Sequence, residues 1–276
     1  MKKNLKYYLK DKLTNEELKL VPSSFDVVGD IMIFSEFPKE LAKKEKIIGQ
    51  TILETYGHIK TILKKTRKYS GKFRTPKLKV IAGEKRKETV HRENDVLIKL
   101  DAEKVYFSPR MSNERKRIAG LIKPKESVLV MFSGSGIYPL VIAKNTKCGA
   151  VYGIEINPTA HKYAQENIKK NKLENKINLF LGDVKKIMPR LDKKFSRILM
   201  PLPKGGENFL GLAIKYAKNK GAIHFYDFLH ESEFGKAEDK ARNACEKLKK
   251  KCKILRIVKC GQYSPGFYRV CVDFKL

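Results

Sequence analysis

The sequence predicts an α/β protein: a Rossmann-like, mostly parallel seven-stranded sheet preceded by a smaller α+β module. Three observations carry this. From residue 127 onward, short apolar runs alternate with helix-length amphipathic stretches. One run, Val128–Phe132, breaks into a Gly-x-Gly turn at Gly134 and Gly136, and the next, Val151–Glu155, ends on a carboxylate. The last two runs, 253–258 and 267–274, follow each other with no helix-length stretch between them.

Taken in order, residues 1–20 are dense in lysine and read as a short charged helix. A strand pattern containing Gly29 spans 27–34. Lys39–Lys65 carries Ile47, Ile48, Ile52, Leu53, Ile59 and Leu63 at helical spacing, which predicts one long helix. Phe73-Arg74-Thr75-Pro76 is a turn into a strand at 78–82. Strands at 89–91 and 96–100 read as a hairpin joined through Glu93-Asn94-Asp95. The domain reading is an extension over 1–20, an α+β domain over 21–105 and a Rossmann-like domain over 106–276. The latter opens with a helix near 113–122. Strands near 127–132, 150–155, 176–181, 196–200 and 220–226, with helices between, predict a parallel sheet covered on both faces. The two final strands should pair as a hairpin at its edge. A sheet ending in a reversed strand fits class I S-adenosylmethionine methyltransferases better than nicotinamide dehydrogenases.

Sixty Lys+Arg against thirty Asp+Glu give a formal net charge of +30 and a pI near 9.8, spread along the chain. A globular protein this basic suits a polyanionic partner, since phosphate contacts supply affinity without reading sequence. A lysine-rich solvated surface is the alternative source. No run of about 18 apolar residues exists to span a membrane. The opening Met-Lys-Lys-Asn-Leu-Lys lacks the apolar core of a signal peptide. Cys148, Cys245, Cys252, Cys260 and Cys271 are scattered without a Cys-x-x-Cys pair, the usage of reduced intracellular thiols. A cytoplasmic protein without structural metal and without membrane attachment is expected, with nucleic acid as partner.

The Gly-x-Gly turn carries the first chemical reading. Glycines at 134 and 136 let backbone approach a ligand where a Cβ would clash. Glu155, closing the next strand, is placed to accept the hydroxyls of a ribose. The third glycine of a dinucleotide fingerprint is absent, so a cofactor with one nucleoside fits better than NAD. A purely structural strand-to-helix turn is the alternative.

Several short words in order bring in a family. They are Phe73-Arg74-Thr75-Pro76, His91-Arg92-Glu93-Asn94, Leu100-Asp101, Tyr106-Phe107-Ser108-Pro109-Arg110 and Asn113-Glu114-Arg115. They continue with Met131–Gly136, Gly182-Asp183-Val184, Met200-Pro201-Leu202-Pro203-Lys204 and Tyr263-Ser264-Pro265-Gly266. Together they resemble the archaeal and eukaryotic tRNA guanine-37 N1-methyltransferases and their wyosine-pathway relatives, in a short form lacking the first domain of longer members. The resemblance runs from about residue 20 to the C-terminus.

The resemblance implies methyl transfer from S-adenosyl-L-methionine to N1 of guanine 37 in tRNA, bound around the anticodon stem-loop by a protein expected to be a monomer. It implies that Glu114 takes the N1 proton and that Arg74 stabilises charge on O6. Each has a plain alternative: first-turn helix carboxylate for Glu114, phosphate clamp for Arg74. Phe132, Ser133, Gly134 and Gly136 would wrap the methionine end, Glu155 and Ile156 the ribose, and Asp183 and Val184 the adenine. Asp183 is equally suited to cap the helix that follows. Tyr106 and Arg110 would flank cofactor and target base. Phosphate contacts are expected from Lys60, Lys64, Lys65, Arg67, Lys68, Lys72, Arg115, Lys116, Arg117 and the lysines at 247 and 249–251.

Two departures stand out. Val130 occupies a position where the family usually has Asp, which weakens the expected contact with the cofactor's ammonium group. Pro201 and Pro203 form a Pro-Leu-Pro wall where the family carries Asn-(Pro/Leu)-Pro, so carbonyls at 200–202 replace an amide side chain toward the flipped base. This wall is compatible with a second methylation, of a wyosine intermediate. Two other classes stay open: the aminocarboxypropyl transfer of wyosine biosynthesis, and a non-catalytic RNA-binding fold.

Overall fold

The computed structural model describes residues 4–276; residues 1–3 and the Lys68 side chain, the latter within the basic stretch above, lie outside the described residues. The chain forms two compact units, one from residues up to Arg92 with Leu97–Pro109, the other from Glu93–Val96 with Arg110–Leu276.

In the first unit, the charged stretch folds as two helices, α1 (Leu5–Leu9) and α2 (Asn15–Leu20). Thr14 explains the break: its hydroxyl caps the Glu17 N–H while the Glu17 carboxylate returns to the Thr14 N–H at 2.9 Å. Leu5, Leu9 and Leu13 are buried with Leu41, Ile48 and Ile52, so this stretch helps build the unit's core. The expected strand over 27–34 is a hairpin, β1 (Phe25–Val28) and β2 (Ile31–Phe34). Gly29 turns it at φ +58, where a Cβ would stand 2.2 Å from Thr89 Oγ1.

The long helix expected over 39–65 is also corrected. A 3-10 turn precedes α3 (Glu45–Thr55), and then the chain extends as β3 (Thr61–Ser70) and β4 (Thr75–Gly83). Gly57 interrupts the helical pattern, and pairing with β2 and β4 buries Ile62 and Leu63 on a strand rather than on a helix. Ile47, expected inside, is 37% exposed. The sheet runs β1-β2-β3-β4, with β2 and β3 parallel. A separate two-stranded sheet follows, β5 (Glu88–Glu93) and β6 (Val96–Asp101). Its turn residues Asn94 and Asp95 both take positive φ (43° and 62°), the twist a two-residue hairpin needs.

The second unit begins at that turn and continues with α4 (Ser112–Gly120), β7 (Ser127–Met131), α5 (Ile137–Asn145), β8 (Ala150–Glu155) and α6 (Pro158–Lys170). It goes on through β9 (Ile177–Leu181), α7 (Val184–Arg190), β10 (Phe195–Met200), α8 (Leu210–Tyr216), β11 (Ala217–His230) and α9 (Gly235–Lys247). The chain closes with β12 (Lys253–Ser264) and β13 (Phe267–Lys275). The seven strands order as β12-β13-β11-β10-β7-β8-β9. The pairs β10–β11, β10–β7, β7–β8 and β8–β9 are parallel, and β13 runs antiparallel to both β11 and β12. Leu129, Met131, Ile198, Met200, Ile223, Phe225, Val272 and Phe274 are wholly buried and form the sheet's core. No described helix is long and apolar enough to cross a membrane.

Candidate functional site

Parallel strands bring their carboxyl ends to one edge, where open α/β sheets bind ligands. At the end of β7 the backbone turns sharply: Phe132 (φ 60°), Gly134 (58°) and Gly136 (83°) all take left-handed conformation. Glycine accepts this freely, whereas Phe132 is strained by it. A Cβ on Gly136 would lie 3.1 Å from Ala164 Cβ on α6, so glycine also permits the loop's close packing. The Phe132 ring rests edge-on against Phe209 at 5.0 Å.

Two serines in this loop are the telling groups. Ser133 and Ser135 are 3% and 0% exposed, and neither hydroxyl has a hydrogen-bond partner among the described residues. A buried unpaired hydroxyl costs about 1–3 kcal/mol, so two side by side mark a loop built for a ligand's polar atoms. Glu155, at the end of β8, is buried beside them. Its carboxylate accepts from the Gly134 N–H and the Asn157 N–H, both at 2.7 Å. Burial pushes its pKa above the ordinary value, although these N–H groups and that of Ile156 pull the other way. A carboxylate offers about four acceptor positions, so capacity remains for ribose hydroxyls. These residues fit a nucleoside-bearing cofactor.

Around the loop, Ile156 is half-buried and Val184 buried. Asp183 accepts from the Lys185 N–H at 2.8 Å and caps α7, so its helix-capping role is realised. Pro201 and Pro203 are half-buried just past β10. The Met200 carbonyl already accepts from the Leu202 N–H at 2.7 Å, which engages part of the acceptor set expected to face a purine. Val130 lies fully buried inside β7, so its apolar side chain serves the core. Arg110 is exposed in a 3-10 turn at Pro109–Met111.

Glu114 sits in the first turn of α4 with its side chain only 3% exposed. Arg117, three residues on, grips it with two bonds, Nε to Oε2 at 2.6 Å and Nη2 to Oε1 at 2.7 Å. The Tyr226 hydroxyl donates to Oε1 at 2.6 Å and accepts from the Tyr138 hydroxyl at 3.2 Å. Burial raises the pKa of both tyrosines, so they remain donors. Three acceptor positions of Glu114 are thus occupied, and one on Oε2 is left. The Arg117 guanidinium also reaches Asp273 at 2.6 Å. Asp273 also takes a bond from His224 Nδ1 at 2.6 Å and forms an ion pair with Arg256, whose Nε lies 3.1 Å away. His224 Nε2 faces Arg197 Nη1 at 2.7 Å, and Arg197 closes on Glu126. His224, Cys271 and Asp273 hold ligand-type atoms within 4.8 Å of one another. The guanidiniums on Asp273 make this an ion-pair network, a poor seat for a cation. Beneath it, Arg115, expected on phosphates, is buried and doubly bonded to Glu93 at 2.5 and 2.6 Å. That pair anchors α4, so Arg115 is a structural cation.

Arg74 and Tyr106 belong to the first unit. Arg74 closes the turn between β3 and β4 at φ 51°, its N–H donating to the Gly71 carbonyl at 3.1 Å. The Tyr106 ring lies edge-on to Tyr69 at 5.0 Å. Lys64 is drawn into an ion pair with the buried Glu45, and Lys79 joins it at 2.9 Å, so part of the basic stretch is internally neutralised. Sequence reasoning missed Tyr226, Arg117 as a partner of Glu114, and Glu207, whose Oε2 is buried without a partner. Only the i,i+3 spacing of Glu114 and Arg117 was a readable signal.

A family profile described as the TRM5/TYW2 methyltransferase domain matches residues 89–255, and one described as the TYW2 N-terminal domain matches residues 5–86. The chain is 39% identical over 259 residues to the tRNA (guanine(37)-N(1))-methyltransferase Trm5b of Pyrococcus abyssi, covering 94% of this chain and 76% of that protein. It is 34% identical to the tRNA(Phe) (4-demethylwyosine(37)-C(7)) aminocarboxypropyltransferase of Methanocaldococcus jannaschii, covering 91% of this chain and 97% of that one. A solved complex of aTrm5 and tRNALeu superposes with a TM-score of 0.86 at 32% identity, over 100% of this chain and 79% of the other. With the methyltransferase-domain profile matched over more than half of its length and relatives this similar, the chain belongs to the TRM5/TYW2 methyltransferase family.

Proposed function

We propose that this protein is an S-adenosylmethionine-dependent tRNA methyltransferase that forms N1-methylguanosine at position 37, in the anticodon loop. The observation that carries the reading is the loop at Ser133–Gly136, whose two buried, unpaired hydroxyls lie beside Glu155. When bound, S-adenosylmethionine supplies an electrophilic methyl group.

The protein's own residues do the rest. Ser133 and Ser135 gain partners from the cofactor's polar end, and Glu155 receives ribose hydroxyls. Asp183 and Val184, at the start of α7, border the adenine. Pro201 and Pro203 present a rigid wall to the extruded purine. Glu114 accepts the N1 proton on its remaining Oε2 position; the two bonds from Arg117 hold the carboxylate in place. Arg74 neutralises negative charge on O6, and Tyr106 and Arg110 flank cofactor and base. The net charge of +30 supplies phosphate affinity for tRNA. A monomer acting in the cytoplasm fits this substrate.

A second reading is aminocarboxypropyl transfer from the same cofactor, favoured by the match of residues 5–86 to the TYW2 N-terminal domain. One experiment separates the two. Unmodified tRNA carrying G37 is incubated with the protein and S-adenosylmethionine, and nucleosides and by-products are read by mass spectrometry. Methyl transfer yields N1-methylguanosine and S-adenosylhomocysteine, and none with A37. Appearance of methylthioadenosine instead identifies the second reading, and no turnover of either kind removes both. A wyosine intermediate as substrate tests whether the Pro-Leu-Pro wall admits a second methylation.

A further inference from the structure

β11 outruns β10. Met200, the last residue of β10, pairs with Phe225, yet β11 continues from 225 to His230, five positions and roughly 17 Å further. β13 follows it in register to Phe267, and β12 pairs back along β13 to Ser264. The turn over 264–266 therefore projects from the carboxyl edge of the sheet, the edge that carries the cofactor loop and the Pro-Leu-Pro wall.

This projecting tip is aromatic and cationic. Tyr263 is 67% exposed, more than any other large apolar side chain among the described residues. Its ring lies 4.5 Å from that of Phe228, tilted by 38°. The Arg269 guanidinium sits 5.0 Å from the Phe228 ring, and the Lys259 ammonium 3.6 Å from the Tyr268 ring. Phe267, 44% exposed, stands edge-on to His230 at 5.2 Å. Glu231 is the acidic neighbour, 3.7 Å from Lys259. The turn is firmly built. Gly266 has φ +74°, a Cβ there would lie 2.8 Å from His230 Nε2, and the Glu231 N–H donates to the Gly266 carbonyl at 2.9 Å.

A large aromatic ring held in water on a rigid, cation-bearing hairpin has the chemistry of a single-strand nucleic-acid platform. We propose that Tyr263, backed by Phe228, stacks an unpaired base of the tRNA substrate next to the extruded one, while Arg269 meets the adjoining phosphate. This rests on the reading of tRNA as substrate. Stacking of this kind tolerates any base, because every base offers a π-face, and so it sets affinity rather than sequence preference.

The test measures tRNA binding by wild type, Tyr263→Ala and Tyr263→Phe, together with kcat at saturating tRNA, cofactor affinity by calorimetry and sedimentation. Tyr263→Ala should weaken tRNA binding about tenfold and Tyr263→Phe should restore it. Neither should alter kcat, cofactor affinity or sedimentation. A 2-aminopurine beside position 37 should be quenched by wild type and Tyr263→Phe but not by Tyr263→Ala. Equal tRNA affinity in wild type and Tyr263→Ala overturns the inference. So does a change in sedimentation with unchanged tRNA affinity, which assigns the tip to a protein partner. Failure of the underlying reading shows separately, as absence of tRNA modification by the wild type.

Discussion

The Tyr226 hydroxyl stands 2.6 Å from Glu114 Oε1 in a wholly buried setting, and it joins the candidate base to the helix that follows the cofactor loop. Tyr138, which donates to Tyr226, is the second residue of α5, and α5 begins where the Ser133–Gly136 turn ends. Glu114 is thus oriented from three elements, by Arg117 on its own helix, Tyr226 on β11 and, through Tyr226, Tyr138 on α5. Cys271 on β13 is the remaining titratable neighbour, and burial keeps its thiol protonated.

Removing the Tyr226 hydroxyl should slow turnover. The Tyr226 hydroxyl fixes Oε1 of the proposed base, and a base must be held in line with the proton it takes. Tyr226→Phe should therefore lower kcat about tenfold while leaving cofactor affinity within about twofold. Glu114→Gln should abolish most turnover while leaving cofactor affinity within about twofold. In the Glu114→Gln background, Tyr226→Phe should have little further effect, which kinetics of the double variant checks. An unchanged kcat in Tyr226→Phe means that the tyrosine only packs.

Ser135→Ala should produce effects of opposite sign on the free and loaded protein. In the free protein the hydroxyl is wholly buried and unpaired, so its removal should raise stability by about 1 kcal/mol, or about 2–4 °C in Tm. The same change should weaken S-adenosylmethionine binding about tenfold, because the lost hydroxyl is the cofactor's partner. Thermal unfolding and calorimetry on one preparation measure both. A rise in Tm with unchanged affinity means that the hydroxyl faces something other than the cofactor.

Much of this arrangement was legible before the fold was known, because it is local. The Gly134–Gly136 turn, the carboxylate at the end of β8, the Asn94-Asp95 hairpin and the alternation behind the parallel sheet each occupy a few consecutive residues. What was hidden depends on long-range pairing. Nothing near residue 114 announces that Tyr226 will meet Glu114 or that Asp273 will meet Arg117, since only the order β13-β11-β10 brings those strands together. Arg115 read as a phosphate contact because its partner Glu93 lies on the hairpin before it. The helix expected to reach residue 65 failed for a related reason. Ile62 and Leu63 are adjacent apolar residues that fit either a helix or a strand, and pairing with β2 and β4 decided between them.

His224 gives the fold an acid-sensitive joint. Its neutral form satisfies both neighbours at once, with Nδ1–H donating to Asp273 and Nε2 accepting from Arg197. Burial holds its pKa below the ordinary 6.5, against the pull of Asp273 and with the push of Arg197 and Arg117. The folded state then refuses a proton that the unfolded chain accepts, so stability is full above about pH 6.5 and falls as pH drops below it. The loss should reach up to about 2 kcal/mol at pH 5. Asp273 titrates outside that window: burial alone would raise its carboxyl, but His224 and Arg117 hold it far below the usual range. His161, lowered by partial burial, adds in the same direction, so the comparison between proteins is the readout. Urea midpoints at pH 7 and pH 5 should differ more in wild type than in His224→Gln. Equal differences in the two proteins would place the acid sensitivity elsewhere.

Cofactor affinity should itself depend on pH through Glu155. Ribose hydroxyls donate to an ionised carboxylate, while burial raises this one above the ordinary 4.5 despite the N–H groups of Asn157, Gly134 and Ile156. Protonation therefore begins at higher pH than for an exposed glutamate, and S-adenosylmethionine binding should weaken as pH is lowered toward that raised value. Glu155→Gln keeps the shape but cannot be ionised, and its amide turns a donor toward either the Gly134 N–H or the ribose. It should bind the cofactor about ten- to a hundredfold more weakly at pH 8, with little further loss toward pH 5.5. Calorimetric titrations across that range measure both, with the cofactor's own titration subtracted by running the two proteins in parallel. Parallel pH profiles in wild type and variant would mean that the carboxylate braces the Gly134 loop without touching the ribose.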